Sequence, residues 1–205
     1  MNKGLFIVFE GIDGSGTTSN SKLIAKWLAD KGLPVIWTSE PTRSDIGLLI
    51  KQNLKKRTED PHIDALLFAA DRIWHVKKII KPYLNKGYIV ISDRFLESSI
   101  AYQGAQGVNI DWIKSINLIN KLTISPDITF LLDVSPEKSL ERIKDRKIKE
   151  RFEKIDFLRK VRKIYLTRAT LNNYYIIDAE KEIDKIQEEL KDIITEFLKK
   201  KRLFL

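Results

Sequence analysis

Between Gly11 and Ser19 the chain reads GIDGSGTTS, with three glycines at a spacing that suits phosphate chemistry. Successive backbone N–H groups can curl round a phosphate where no side chains intervene, and a helix starting directly behind adds the positive end of its dipole. Gly11, Gly14 and Gly16 satisfy that requirement, and Thr18 stands where a hydroxyl would coordinate magnesium. The loop as a whole, with Asp13, Ser15 and Thr17 beside the glycines, is a candidate cradle for a nucleotide's phosphates. Thr17 departs from the pattern, taking the place of the lysine whose ammonium normally reaches the β and γ phosphates. The plainer reading is an ordinary strand-to-helix turn. Placement right after an apolar strand weighs against it.

Such a loop needs a strand ending on it and a helix leaving it. Strand-length apolar runs recur at Leu5 to Phe9, Val35 to Ser39, Tyr88 to Ser92, Ile128 to Val134 and Tyr174 to Ile177. The first helix is predicted from about Gly16 to Lys31, where Leu23, Ile24, Trp27 and Leu28 form one stripe and Gly32 then Pro34 end it. A second begins near Asp60, an N-cap followed by Pro61, with Ile63, Leu66, Leu67, Ala70, Ile73 and Trp74 mostly three or four apart. Further helices are predicted over Asp111 to Leu122, Ser135 to Asp145, Arg151 to Asn172 and Glu180 to Lys201. Strands alternating with helices predict an α/β fold, a five-stranded parallel sheet covered on both faces.

At 205 residues and 43% hydrophobic, the chain can bury one sizeable core, and its length calls for a single domain over 1–205. Its apolar runs fall far short of the roughly 20 residues that span a bilayer. The N-terminus passes straight into strand and motif without a leader pattern, so a cytoplasmic location is expected. No cysteine and two isolated histidines leave oxygen ligands for any metal, and magnesium fits best. The net charge of +9 would attract any polyanion without choosing among them.

Four further segments, in this order, make the chain resemble the thymidylate kinase family of P-loop nucleoside monophosphate kinases over nearly its whole length. TSEPTR (Thr38 to Arg43) is similar to the segment lining the acceptor pocket, and LLFAADRIWH (Leu66 to His75) to the helix whose phenylalanine stacks on thymine while an arginine bonds the base. Phe68 and Arg72, four apart, share a helical face and can present a ring and a planar fork to one ligand. ISDRFLESSIAYQG (Ile91 to Gly104) begins at the C-terminal end of a strand, where ligands of open α/β sheets gather. LERIKDRKIKERFE (Leu140 to Glu153) looks like the mobile lid that closes over ATP, about residues 141–153.

The resemblance implies a three-layer P-loop NTPase fold and transfer of the γ-phosphoryl of Mg-ATP to dTMP, giving dTDP and ADP. It puts Arg94 on the acceptor's phosphate, Asp93 near the magnesium with Thr18, and Asp13 on the acceptor's 3′-hydroxyl. Glu40, Pro41, Arg43, Phe68, Arg72, Ser98, Ser99 and Tyr102 would surround dTMP. Because Gly14 and Ser15 leave the loop without an arginine, lid residues Arg142, Arg146 and Arg151 would supply charge to the transferring phosphate, with Lys147 and Lys149 in support. The adenine contact would fall near Asp178 to Lys181, and relatives are homodimers. Each segment also has a plainer reading: a proline turn, a core phenylalanine, a surface ion pair, a solvated charged face. Rival functions are a kinase for another nucleotide, a nucleotide-binding protein impaired by Thr17, or a basic nucleic-acid binder, for which no aromatic-basic module is present.

Overall fold

The apolar runs come together as one sheet. Its strands are β1 (Leu5–Glu10), β2 (Val35–Ser39), β3 (Ile89–Asp93), β4 (Ile128–Asp133) and β5 (Tyr175–Asp178). All five run parallel, in the order β2-β3-β1-β4-β5. The computed structural model describes residues 4–55, 60–118, 124–144, 152, 154–172 and 174–201. A parallel sheet covered on both faces reads as continuous apolar sequence, and β1 and β3 are buried at every residue. The α/β architecture expected from the alternation is therefore the one that forms.

Strand β1 divides the core by its two-residue period. Leu5, Ile7 and Phe9 face one apolar cluster with Ile24, Leu28 and Phe130, while Phe6 and Val8 face another with Val76, Ile80 and Val90. The covering helices are α1 (Thr17–Asp30), α2 (Asp45–Asn53), α3 (Pro61–His75), α4 (Lys81–Asn85), α5 (Leu96–Ala105), α6 (Ile110–Asn117), α7 (Pro136–Ile143), α8 (Ile155–Leu171) and α9 (Ile183–Lys201). A π-helical turn, Val76–Ile80, joins α3 to α4. Fully burying each large side chain in these clusters is worth roughly 1.5 to 3 kcal/mol.

Helices α1, α3 and α6 depart from the faces and bounds that apolar spacing predicts. On α1, Leu23 is 41% exposed, and the inward face is completed by Asn20 and Ser21. Polar packing explains this: Gln187 of α9 donates to Asn20 Oδ1 at 2.7 Å, and Trp37 donates its indole N–H to Ser21 Oγ at 2.9 Å. On α3, Ile63 and Leu66 are exposed, whereas Asp64, Asp71, Arg72 and His75 are buried. The inward face of α3 joins a polar network to the apolar packing of Ala65, Leu67, Phe68 and Ala69. The helices expected from Asp111, Arg151 and Glu180 start at Ile110, Ile155 and Ile183. Of these, α6 ends at Asn117, short of the expected Leu122. Helix α5 forms within the ISDRFLESSIAYQG segment, and α2 forms between Arg43 and Asp60, where no helix is expected from the apolar spacing.

Candidate active site

Strand β1 ends at Glu10 and β3 at Asp93, next to each other in the sheet, so the loops that follow both converge on one edge. The first is the glycine loop. A Cβ on Gly11 would lie 2.8 Å from the Leu132 carbonyl, and one on Gly14 2.5 Å from the Ser139 carbonyl, so the backbone packs here only without side chains. Gly16, at φ 88°, is the N-cap of α1 and offers no side-chain cap. The first-turn amides of α1 and the positive end of its dipole are thus directed at the loop. By contrast, Ser44, Asp60 and Asn109 cap α2, α3 and α6 with their own side chains.

The loop borders a cleft of about 740 Å³, also lined by Lys138 and Arg142 of α7 and by residues 179–183 after β5. Arg142 donates to the Ala179 carbonyl at 2.8 Å and approaches the Gly14 carbonyl at 3.5 Å. Ser139 Oγ donates to the Asp13 carbonyl, tying α7 to the loop. Thr17 is 6% exposed and lines the same cleft with no cationic side chain to offer. Thr18 Oγ1 donates to Asp93 Oδ2 at 2.5 Å, while Asp93 Oδ1 is buried without a hydrogen-bond partner. An orphaned carboxylate oxygen beside a hydroxyl is a donor set that fits a hard divalent cation such as magnesium. Among the described residues no cluster of three His, Cys, Asp or Glu could hold a metal unaided, so substrate oxygens or water would complete the shell.

Beside the cleft lies a smaller cavity of about 180 Å³. Phe68, Arg72, Ser98, Ser99 and Tyr102 line it, together with Glu40 and Pro41. Gln103 lines it too, with a buried Oε1 lacking a partner, as do Lys51, Leu54 and Phe152. Arg72 is held by Asn117 Oδ1 at 2.6 Å, Ser99 Oγ at 2.9 Å and Glu40 at 2.7 Å. His75 bridges Glu40 Oε1 at 3.0 Å and Thr38 Oγ1 at 2.7 Å. A rigid, buried polar wall results, with the Phe68 ring as its apolar complement. Arg43 is exposed and does not line this cavity. Its α2 neighbour Lys51 does. Arg146 and Arg151 lie outside the described residues.

Arg94 occupies the junction. Its φ of 71° is left-handed, unusual for a residue with a Cβ, and such strain gathers where function dictates position. The guanidinium donates to the Gly11 carbonyl and to Asp13 Oδ1, both at 2.7 Å. Behind it sits Glu10, which accepts from the Phe95 N–H at 2.9 Å, Ser98 Oγ at 2.5 Å and the Tyr165 hydroxyl at 3.1 Å. Burial pushes the Glu10 carboxyl up to about 7, against the opposing pull of the Ser98 bond and the Arg94 charge. Burial likewise raises the Tyr165 hydroxyl well above its ordinary value, with the Glu10 charge next in order. Nothing in the residue pattern singles out Glu10, Lys51 or Gln103. Ser44 before Asp45 was the available cap signal for α2, and with it Lys51 falls one turn beyond Gly47.

A model of the family described as Thymidylate kinase matches residues 9–190, spanning both cavities. The chain belongs to the thymidylate kinase family. It is similar to a probable thymidylate kinase of Pyrobaculum calidifontis, 47% identical over 192 residues, covering 93% of this chain and 95% of the relative. A probable thymidylate kinase of Pyrobaculum aerophilum is also 47% identical, with 92% and 95% covered. One of Thermococcus kodakarensis is 40% identical over 205 residues, covering 95% and 98%. Membership makes the chain a phosphotransferase, and the two adjoining cavities are the arrangement that such chemistry needs.

Proposed function

We propose that this protein transfers the γ-phosphoryl group of ATP to dTMP, giving dTDP and ADP. One observation carries the reading: the cleft behind the glycine loop and the small cavity share Asp13, Glu40, Pro41, Lys51 and Arg94, so two ligands would meet end to end there. The loop amides and the α1 dipole hold the donor's phosphates, and residues 179–183 flank its base. Phe68, Arg72, Ser99, Tyr102 and Gln103 enclose the acceptor's base and sugar, and Arg94 takes its phosphate. Asp13 is held by Arg94 at 2.7 Å within reach of the sugar subsite.

Magnesium, held by Thr18 and Asp93, would draw charge from the donor's phosphates when bound. Phosphoryl transfer of this kind is governed by alignment and preorganised positive charge. An ionised phosphate monoester already carries its nucleophilic oxygen, so no general base is required. Arg142, Arg146 and Arg151 are proposed as lid cations, and closure over the donor would exclude water. The whole chain is taken as one domain acting in the cytoplasm; no described helix is long and apolar enough to cross a membrane. A second reading, a nucleotide-binding protein with impaired turnover, draws support from Thr17 alone. Incubating the protein with Mg-ATP and each nucleoside monophosphate in turn, and measuring ADP, tests both.

The active form is proposed to be a homodimer. Leu48 and Leu49 of α2, Ile63 and Leu66 of α3, and Leu118 after α6 are 44 to 59% exposed, and α3 packs on both α2 and α6. Apolar side chains gathered on three adjoining helices form a surface that a second copy would cover.

A further inference from the structure

We infer that Lys51 supplies to the phosphoryl group in transit the positive charge that Thr17 withholds from the glycine loop. The inference rests on the kinase reading above. Of the five residues that line both cavities, two are cationic, Arg94 and Lys51. Arg94 is ion-paired with Asp13 at 2.7 Å. Among the described residues Lys51 has no carboxylate within ion-pair distance; its ammonium donates to the Thr42 carbonyl at 2.8 Å. Glu40, the other carboxylate shared by the two cavities, is committed to Arg72 and His75. Among the described residues, Lys51 therefore brings a charge with no carboxylate partner to the seam.

It is also firmly held. Asp71 of α3 is fully buried and accepts from the Thr42 N–H at 2.8 Å, Thr42 Oγ1 at 2.6 Å and Ser44 Oγ at 3.0 Å. Ser44 in turn caps α2 by accepting from the Gly47 N–H at 3.1 Å. Gly47 lies so close to this turn that a Cβ there would be 2.3 Å from the Thr42 carbonyl. Ile50, beside Lys51 on α2, and Leu54, the residue that caps the helix's C-terminus, are buried. The carbonyl that receives Lys51 and the helix that carries it thus form one locked unit. An ammonium has three protons; the Thr42 carbonyl takes one, and the others can face phosphate oxygens.

The chemistry asks nothing more of it. An oxygen of the acceptor phosphate forms a new bond to the γ phosphorus as the bond to the bridging oxygen of ADP breaks, its electron pair leaving with ADP. No proton has to move, and Lys51 stays protonated throughout. Charge accumulating on the equatorial oxygens is what a fixed cation at the seam stabilises, as the loop lysine does elsewhere.

Steady-state kinetics with Mg-ATP and dTMP on the full chain test this, comparing the parent with Lys51→Met, Lys51→Arg, Thr17→Lys and the Thr17→Lys/Lys51→Met double variant. Lys51→Met should lower kcat about 100-fold, the scale for losing one preorganised donor, with KM for both substrates changed less than about threefold. Lys51→Arg keeps the charge and should recover at least about a tenth of the parent rate. In the Thr17→Lys background the same Lys51→Met change should cost under about tenfold, since both cations act on one group. An active parent whose kcat is unmoved by Lys51→Met overturns the inference alone, as does a loss confined to KM for dTMP or an equal loss in both backgrounds. A parent that forms no dTDP overturns the kinase reading and this inference with it.

Discussion

Arg94 shows how much one side chain can be asked to do. Its planar fork reaches Asp13 and the Gly11 carbonyl together, and a point-charge ammonium cannot copy that geometry. Arg94→Lys should lower kcat/KM for dTMP by about 100-fold, with the fold intact by circular dichroism. Unchanged kinetics would remove Arg94 from the acceptor phosphate. Glu10, directly behind, makes a pH prediction. Its carboxyl titrates at about 7 in the folded chain against 4.5 ordinarily, so the folded state holds the proton more tightly than the unfolded state does. The stability this contributes is complete below the lower value and is lost as pH rises through the upper one. Glu10→Gln cannot ionise. Its melting temperature relative to the parent should therefore climb between about pH 4.5 and 7 and level off above. A difference that stays constant with pH would show that Glu10 does not titrate in this window.

At the scale of elements, the polar inner face of α3 organises the acceptor side. Asp71 fixes the turn at Thr42 and Ser44 and so sets where α2 begins. Asp71→Ala leaves two hydroxyls and an amide without their acceptor, and should cost about 2 to 4 kcal/mol of stability in urea unfolding while raising KM for dTMP. A variant as stable as the parent would show that other contacts hold this turn. The strands and the glycine loop were legible because a buried parallel sheet leaves continuous apolar runs and the loop has a fixed spacing. The inner face of α3 was not. Its apolar spacing includes Ile63 and Leu66, which face outward, while Asp71, Arg72 and His75 turn inward to the site's polar network, an inversion that periodicity alone cannot reveal. Phe68 and Arg72 line one cavity because residues four apart lie about one helical turn from each other. Lys51 escaped because it depends on α2, a nine-residue helix whose signal was a single serine cap.

For the molecule as a whole, the exposed leucines and isoleucine of α2, α3 and the end of α6 lie apart from both cavities, so association can be separated from chemistry. Leu66→Glu should shift the mass measured by light scattering from about twice the chain mass to that of one chain; a parent already eluting as one chain would remove the dimer proposal. The small cavity bounded by Phe68, Arg72, Tyr102 and Gln103 suits a pyrimidine, and loss of one methyl from an apolar contact costs roughly 1 to 3 kcal/mol. The most direct measurement is therefore kcat/KM for ADP formation from Mg-ATP with dTMP, dUMP, CMP, AMP and GMP under one set of conditions. dTMP should come first, dUMP about 10- to 100-fold lower, and the purine monophosphates lower still. Faster turnover of CMP, AMP or GMP than of dTMP would contradict this order.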